Sequence, residues 1–124
     1  MITMRLFFGL SAICFFTLLI SQPSNAQDPM KVAPNIYNKV LLENDNVRVM
    51  EVFFKPGDEA AKHSHPAHFA YILTGGKLSI TTDGKTVVAE AKAGDVIWME
   101  AETHSAKNTG DTDVKLIVVE LKGK

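Results

Sequence analysis

Cysteine is nearly absent from this chain of 124 residues, which contains only Cys14. A single thiol cannot form an internal disulfide, so a fold held together by disulfide bridges is excluded. Excess positive charge is missing as well, because 13 basic residues stand against 14 acidic ones and no basic cluster is visible. Nucleic acid and anionic membrane surfaces are therefore not expected as partners. Stability must come from apolar burial, oligomerisation or a bound metal.

Several catalytic and structural patterns are also missing. We find no Ser-His-Asp order, no phosphate-binding loop and no cysteine in a nucleophile context. After Asn46 no stretch shows sustained helical periodicity. The pattern after Asn46 is therefore read as β-structure.

The first 26 residues have the three parts of a secretory signal peptide. Arg5 supplies the positive start, LFFGLSAICFFTLLI is an apolar run of 15 residues, and SNA ends at Ala26 as a small-residue cleavage site. A membrane anchor is the alternative, but the apolar run is shorter than the about 20 residues that a helical span needs. We expect cleavage after Ala26 and a periplasmic or secreted protein with no membrane segment.

The exported part, residues 27–124, is expected to form one domain. Residues 27–46 are predicted as an N-terminal arm, loose over 27–34, with an ambiguous segment that can form a short strand and a turn. Residues 47–124 are predicted as an all-β domain. Its strands are predicted at 47–54, 68–74, 77–82, 85–91, 96–100 and 114–122, with a short segment at 104–108. Short strands separated by Gly, Asp and Pro turns indicate an antiparallel sandwich or barrel.

Three of the four histidines lie in the stretch KHSHPAH. His63 and His65 are two residues apart, so on a strand they point to the same face. Pro66 ends or bends that strand, and His68 can face the same space if the chain returns antiparallel. Imidazole is a common ligand for zinc, iron, copper and nickel. The cluster indicates a metal site, and a surface pair facing water is the alternative.

The sequence around this cluster, PGDEAAKHSHPAHFAYILTGG, resembles the first motif of the cupin superfamily, G-x5-H-x-H-x(3,4)-E-x6-G. Gly57, His63, His65 and Gly75 stand at motif positions. His68 stands where the motif has glutamate, and the spacer before it is one residue short. The residue type at His68 is therefore the main departure in this motif.

The later stretch AGDVIWMEAETHSAKN resembles the second cupin motif, G-x5-P-x-G-x2-H-x3-N. Gly94 opens it, and His104 and Asn108 keep the H-x3-N ending. Glu100 and Glu102 replace the proline and the glycine, and the histidine comes one residue early. Together the two stretches resemble both cupin motifs in the correct order.

The resemblance implies a jelly-roll β-barrel in which His63, His65, His68 and His104 converge on one metal ion. It implies a divalent transition metal as cofactor, with iron, manganese, zinc and nickel all compatible. For His68 a contact with the substrate or with another ligand is the alternative to ligation. Four neutral imidazoles would leave the metal a stronger Lewis acid and favour an anionic substrate or hydroxide.

The implied function is that of a small exported metalloenzyme of the dioxygenase, isomerase or lyase type. Its substrate would be a small organic acid, a diketone or an amino-acid derivative, and no catalytic residue is identified. The alternative is a non-enzymatic module that captures a small ligand or a metal. The expected partners are thus a small molecule and, as a homodimer, a second copy of the chain.

Some further side chains carry expectations about position. Trp98 is expected in the barrel core, whereas Phe69 and Tyr71 should point away from the histidines. Glu100 and Glu102 are expected on a solvated loop, although either can orient a ligand from behind. The predicted core or wall residues are Met50, Phe53, Ile72, Leu78, Ile80, Ile97, Ile117 and Val119.

Overall fold

Nine β-strands and one short helix make up residues 27–123, the part of the chain that the computed structural model describes. The helix α1 is Pro29–Val32. The strands are β1 (Tyr37–Glu43), β2 (Val47–Phe54), β3 (Glu59–His65), β4 (His68–Thr74), β5 (Gly76–Thr82), β6 (Lys85–Ala91), β7 (Val96–Met99), β8 (Glu102–Asn108) and β9 (Val114–Leu121). Within the described residues no helix has the length and apolarity needed to cross a bilayer. The predicted signal peptide, with Cys14 and the cleavage site after Ala26, lies outside these residues.

The strands form two antiparallel sheets that enclose one core. The five-stranded sheet has the order β1-β2-β9-β4-β7, and the four-stranded sheet has the order β3-β8-β5-β6. Buried side chains of both sheets form one apolar cluster, which includes Met50, Val52, Phe54, Ala70, Ile72, Leu78, Ala106, Leu116 and Val118. The antiparallel all-β jelly roll expected from the sequence is confirmed.

Local sequence signals account for most strand bounds. The strands β2, β4 and β6 begin and end where the residue pattern predicts. Asp83 and Gly84 join β5 to β6 with φ values of 50° and 74°. Two consecutive positive φ angles are what a two-residue hairpin turn with the twist of its strands requires, and Asp-Gly adopts them readily.

The segment 27–34 is not the loose arm that the sequence suggested. Asp28 caps α1 by accepting a hydrogen bond from the Met30 backbone N–H at 2.9 Å, and Pro29 occupies the first turn, where its missing N–H costs nothing. Ala33 and Ile36 are buried in the core cluster. The interpretation of the following segment as a strand is confirmed, because β1 pairs with β2.

Trp98 is wrongly predicted as a core residue. Its side chain is 52% exposed, and its indole N–H donates to Glu100 Oε1 at 2.8 Å. The reason is the phase of β7, in which Ile97 and Met99 pack against the core. Side chains alternate along a strand, so Trp98 must point outward.

The same alternation decides which of the other predicted core residues are buried. Met50, Ile72 and Leu78 are buried, and Ile80 and Ile97 pack against the core. In contrast, Phe53, Ile117 and Val119 are only half-buried, because the buried positions of β2 and β9 are the even-numbered ones. For these three residues the predicted face is wrong. The expected outward direction of Phe69 and Tyr71 is confirmed by the burial of their neighbours His68 and Ala70.

Candidate metal centre

All four histidines meet between the two sheets. His63 and His65 lie on β3, and His104 on β8 is directly opposite His63 in the strand register. His68 lies on β4 in the other sheet, so the chain crosses between sheets at Pro66 instead of returning beside β3 as expected. Each of the four imidazoles belongs to a residue that is at most 5% exposed.

A β-bulge in β3 aims the histidines inward. Ala60 pairs with Ala106 and His63 pairs with His104, so three steps along β3 match two steps along β8. Without the extra residue, Ala60 and His63 would point to opposite faces, because side chains alternate. With the bulge both are fully buried, and the imidazole reaches the centre of the cluster.

Three of the imidazoles have the arrangement that can hold a metal ion. One ring nitrogen each of His63, His65 and His104 lies within 4.8 Å of the other two. The ring of His68 stacks on that of His65, with centroids 4.4 Å apart and an angle of 29° between the planes. His68 thus borders the group of three, and its ligation stays a prediction.

The backbone fixes the orientation of two rings. His63 Nδ1 lies 2.7 Å from the Ala61 carbonyl oxygen, and His68 Nδ1 lies 2.8 Å from the Pro66 carbonyl oxygen. A carbonyl only accepts hydrogen bonds, so each Nδ1 carries the hydrogen. The lone pair of each Nε2 is then free to bind a metal.

Carboxylates fix the other two rings. His65 Nδ1 donates to Glu120 Oε2, and His104 Nδ1 donates to Glu102 Oε1, both at 2.8 Å. This pattern, in which a carboxylate accepts from the far nitrogen of a ligand, sets the tautomer and strengthens the ring as a donor. All four rings thus have Nδ1 engaged behind them, and this leaves Nε2 as the nitrogen that can bind a metal. The expected solvated loop is wrong for Glu102, which begins β8 and orients the ring of His104, whereas Glu100 is exposed as expected.

Glu120 was missed by sequence reasoning. It is 3% exposed and accepts a hydrogen bond from Arg48 at 2.7 Å, while Arg48 also binds Asp28 at 2.9 Å. Burial by itself raises the pKa of Glu120, but the hydrogen bonds from His65 and Arg48 and the Arg48 charge outweigh it and lower that pKa below 4.5. The signal was the phase of β9, since half-buried Lys115 on the opposite face places Glu120 inward, and Glu120 pairs with Arg48 in the register.

The pKa values favour the metal-binding form of the rings. Burial, with smaller contributions from the other imidazoles, lowers the pKa of His63 to about 4. Burial and the charge of His65 also lower the pKa values of His68 and His104. At neutral pH these three imidazoles are consequently uncharged, and no proton competes for their Nε2 atoms.

Tyr37 is a second residue that the sequence did not reveal. Its hydroxyl oxygen lies 3.2 Å from His63 Nε2 and 3.3 Å from His65 Nε2. The residue is 4% exposed, and burial raises the pKa of its phenol. Tyr37 precedes the histidines by 26 residues or more, and no spacing pattern connects them, so only the folded chain brings them together.

An apolar cavity of about 80 Å³ opens beside the imidazoles. Its polar lining consists of Tyr37 and the rings of His65, His68 and His104, and aliphatic or aromatic side chains from both sheets form the rest. Among its lining residues there is no lysine, arginine or carboxylate. The imidazoles thus border a small and mostly apolar space.

Asn108, which keeps the H-x3-N pattern, has a structural role. It is 1% exposed, and its amide nitrogen donates to the carbonyl oxygens of Phe54 and Thr112. Its side-chain oxygen accepts from the Gly110 N–H at 3.0 Å. Asn108 therefore ties the loop after β8 to the end of β2 and does not contact the histidines.

Comparison with known proteins agrees with this architecture. The family model described as the cupin domain matches residues 50–120, more than half of the chain. No curated protein matches the chain.

Solved structures are similar as well. A cupin domain from Bordetella pertussis Tohama I is 28% identical, with 68% of this chain and 91% of that chain covered and a TM-score of 0.64. A predicted oxalate decarboxylase from Thermotoga maritima is 29% identical, with coverages of 68% and 77% and a TM-score of 0.55. A Klebsiella pneumoniae protein with a double-stranded β-helix domain is 24% identical, with coverages of 69% and 76% and a TM-score of 0.59, which shows the fold alone. The fold, the two histidine motifs and the family match agree, and this chain belongs to the cupin superfamily.

Proposed function

We propose that this protein is a periplasmic metal-binding cupin whose mononuclear centre acts on a small uncharged molecule. One observation carries the proposal. Four buried imidazoles have their Nδ1 atoms bonded to acceptors behind them, and one ring nitrogen each of His63, His65 and His104 lies within 4.8 Å of the other two. The periplasmic location is supported by the signal-peptide pattern of residues 1–26.

The cofactor in this proposal is one divalent transition metal ion. Iron, manganese, zinc and nickel all accept imidazole ligands. His63, His65 and His104 would hold it, with His68 as the proposed fourth ligand. The metal would act as a Lewis acid or, in the case of iron, would activate oxygen. The reaction would then be of the dioxygenase, isomerase or lyase type.

The cavity narrows the substrate class. Its volume of about 80 Å³ limits the bound molecule to a small one. No cationic side chain among its lining residues can neutralise a carboxylate, and burying an unpaired charge in an apolar space is costly. We therefore favour a diketone or enol over the organic acid, and over the dicarboxylate that the name of the Thermotoga maritima structure suggests.

A non-enzymatic binding module is the second candidate. It is favoured by the composition of the cavity wall, where Tyr37 and the imidazoles are the only groups among the lining residues that can exchange a proton. If these groups are all engaged by the metal, none remains for general acid or base chemistry. The protein would then bind a small ligand or the metal itself without converting it.

The first test is the metal content of untagged protein and of His63→Ala and His104→Ala. We expect about one metal ion per chain in the wild type and loss of the metal in both variants, since each removes one of three ligands of a single site. Lys62→Ala is the matched control, because Lys62 neighbours His63 but is exposed. His68→Ala, measured alongside, should weaken metal binding if His68 is the fourth ligand.

Retention of metal in His104→Ala, together with its loss in His63→Ala, would contradict a shared site. Oxygen uptake or conversion of small diketones by the metal-loaded protein separates the enzyme from the binding module. Binding of such compounds without any turnover, measured by calorimetry, would favour the module.

A further inference from the structure

We infer that Tyr37 is itself a metal ligand, which supplies one oxygen donor to the centre formed by the histidines. The inference rests on the proposed metal site and adds a residue from β1, a strand that precedes the residues matched by the family model. With Tyr37 as a ligand, the N-terminal segment contributes directly to the metal centre.

The distances around the phenol oxygen fit those of a metal ligand. The oxygen lies 3.2 Å and 3.3 Å from the Nε2 atoms of His63 and His65. Both separations are at or just beyond the upper end of the about 2.7–3.2 Å range of hydrogen bonds between nitrogen and oxygen. In contrast, two ligand atoms that are each bound at about 2.1 Å to one ion lie about 3.0–3.4 Å apart in octahedral or tetrahedral geometry.

A count of hydrogens leads to the same conclusion. His63 and His65 each use the Nδ1 hydrogen to bind an acceptor behind the ring. In the tautomer with one hydrogen, on Nδ1, both Nε2 atoms present lone pairs to the Tyr37 oxygen, which has one hydrogen to donate. Only one of the two contacts can be a hydrogen bond, and the other opposes two lone pairs. A cation among the three atoms satisfies all of them.

The charge of the centre also favours Tyr37 as a ligand. Four imidazoles bring no negative charge, and the carboxylates of Glu102 and Glu120 contact the far nitrogens of His104 and His65. An anionic donor would offset part of the charge of a divalent ion beside an apolar cavity. Tyr37 is in contact with two Nε2 atoms and can become that donor. On binding, its O–H bond breaks, an oxygen–metal bond forms, and the proton leaves to solvent.

Absorption spectroscopy of the iron-loaded protein can detect Tyr37 as a ligand. Metal-free protein is loaded with Fe(II) and oxidised to Fe(III), because a phenolate bound to Fe(III) has a charge-transfer band in the visible range. We expect the band in the wild type and its loss in Tyr37→Phe, which keeps the ring but not the oxygen. Tyr71→Phe is the matched control, since Tyr71 is the other of the two tyrosines and is 42% exposed on β4.

Zinc affinity gives a second readout that does not depend on iron. In competition with a chelator, Tyr37→Phe should bind Zn²⁺ at least about tenfold more weakly than the wild type, the smaller end of the effect seen for residues that support a metal site. Tyr71→Phe should bind it with unchanged affinity.

The inference is overturned if iron-loaded wild type lacks the band, or if Tyr37→Phe keeps it. Iron bound without a band contradicts ligation by Tyr37 and leaves the histidine site intact. Wild-type protein that binds neither iron nor zinc contradicts the proposed function as well, so the two failures are distinguishable.

Discussion

At the scale of single residues, the chemistry of the centre depends on what stands behind each imidazole. Backbone carbonyls accept from His63 and His68, whereas carboxylates accept from His65 and His104. A carboxylate behind a ring makes it a stronger donor than a carbonyl does. The negative charge that the histidines lack is thus placed one hydrogen bond away from the metal-binding nitrogens.

Glu120→Gln tests this arrangement. The amide has nearly the same shape but no charge, so His65 loses its anionic partner and Arg48 keeps only Asp28. We expect Zn²⁺ affinity to fall about 10–100-fold, as is usual for residues behind a ligand. A chelator competition titration measures the change.

Glu43→Gln is the control for this variant. Glu43 pairs with Lys122 at 2.7 Å on the surface, where its side chain is 46% exposed, and exposed pairs contribute little. Its Zn²⁺ affinity should not change. Equal affinities in Glu120→Gln and Glu43→Gln would show that Glu120 does not support the site.

At the scale of elements, close approach of strands decides which residues fit the connections. Gly75 joins β4 to β5, and a Cβ at this position would lie 2.3 Å from the Ala91 carbonyl oxygen and 3.0 Å from Lys92 Cα. Both atoms belong to the backbone, so no side chain can move aside. The glycine is therefore needed here for space between two segments and not for a special φ angle.

Gly75→Ala should destabilise the protein by about 1–3 kcal/mol, the usual cost of forcing an extra methyl group into packed structure. Urea unfolding of the metal-free protein measures this loss. Gly123→Ala is the control, since a Cβ there meets no atom within 4 Å. If both variants unfold at the wild-type urea concentration, the connection is more adaptable than its geometry indicates.

At the scale of the whole molecule, the buried histidines connect stability to pH. The pKa of His63 is lowered from 6.5 to about 4, so between these values the unfolded chain binds a proton that the folded chain does not. Stability of the metal-free protein must then fall as the pH falls from about 6.5 to about 4. His63 alone contributes on the order of 3 kcal/mol to this loss, at about 1.4 kcal/mol per pKa unit.

Urea unfolding between about pH 7 and pH 4.5 measures this dependence. The lowered pKa values of His68 and His104 add to the loss in the same direction, whereas Glu120 adds to it only as the pH falls below its ordinary value of 4.5. His63→Gln should flatten the curve, because the amide does not titrate. A wild-type stability that stays constant over this range would contradict burial of neutral imidazoles.

The homodimer and the export of the chain stay predictions.

Much of the fold is predictable because its signals are local. The alternation of VRVMEVFF and HFAYILT specifies strands, Asp83-Gly84 specifies a hairpin, and the spacing of His63 and His65 places both on one face. Each of these depends only on backbone geometry within a few residues. For the same reason, the metal-site candidates are recognisable from the two histidine motifs.

The remaining features depend on contacts between distant strands. The phase of β9 places Glu120 behind His65, the bulge in β3 turns His63 inward, and the pairing of β1 with β2 brings Tyr37 to the Nε2 atoms. The sequence by itself determined most of the strands and the four imidazoles. Only the tertiary structure decided their surroundings, because the register between strands far apart in the chain sets which side chains meet.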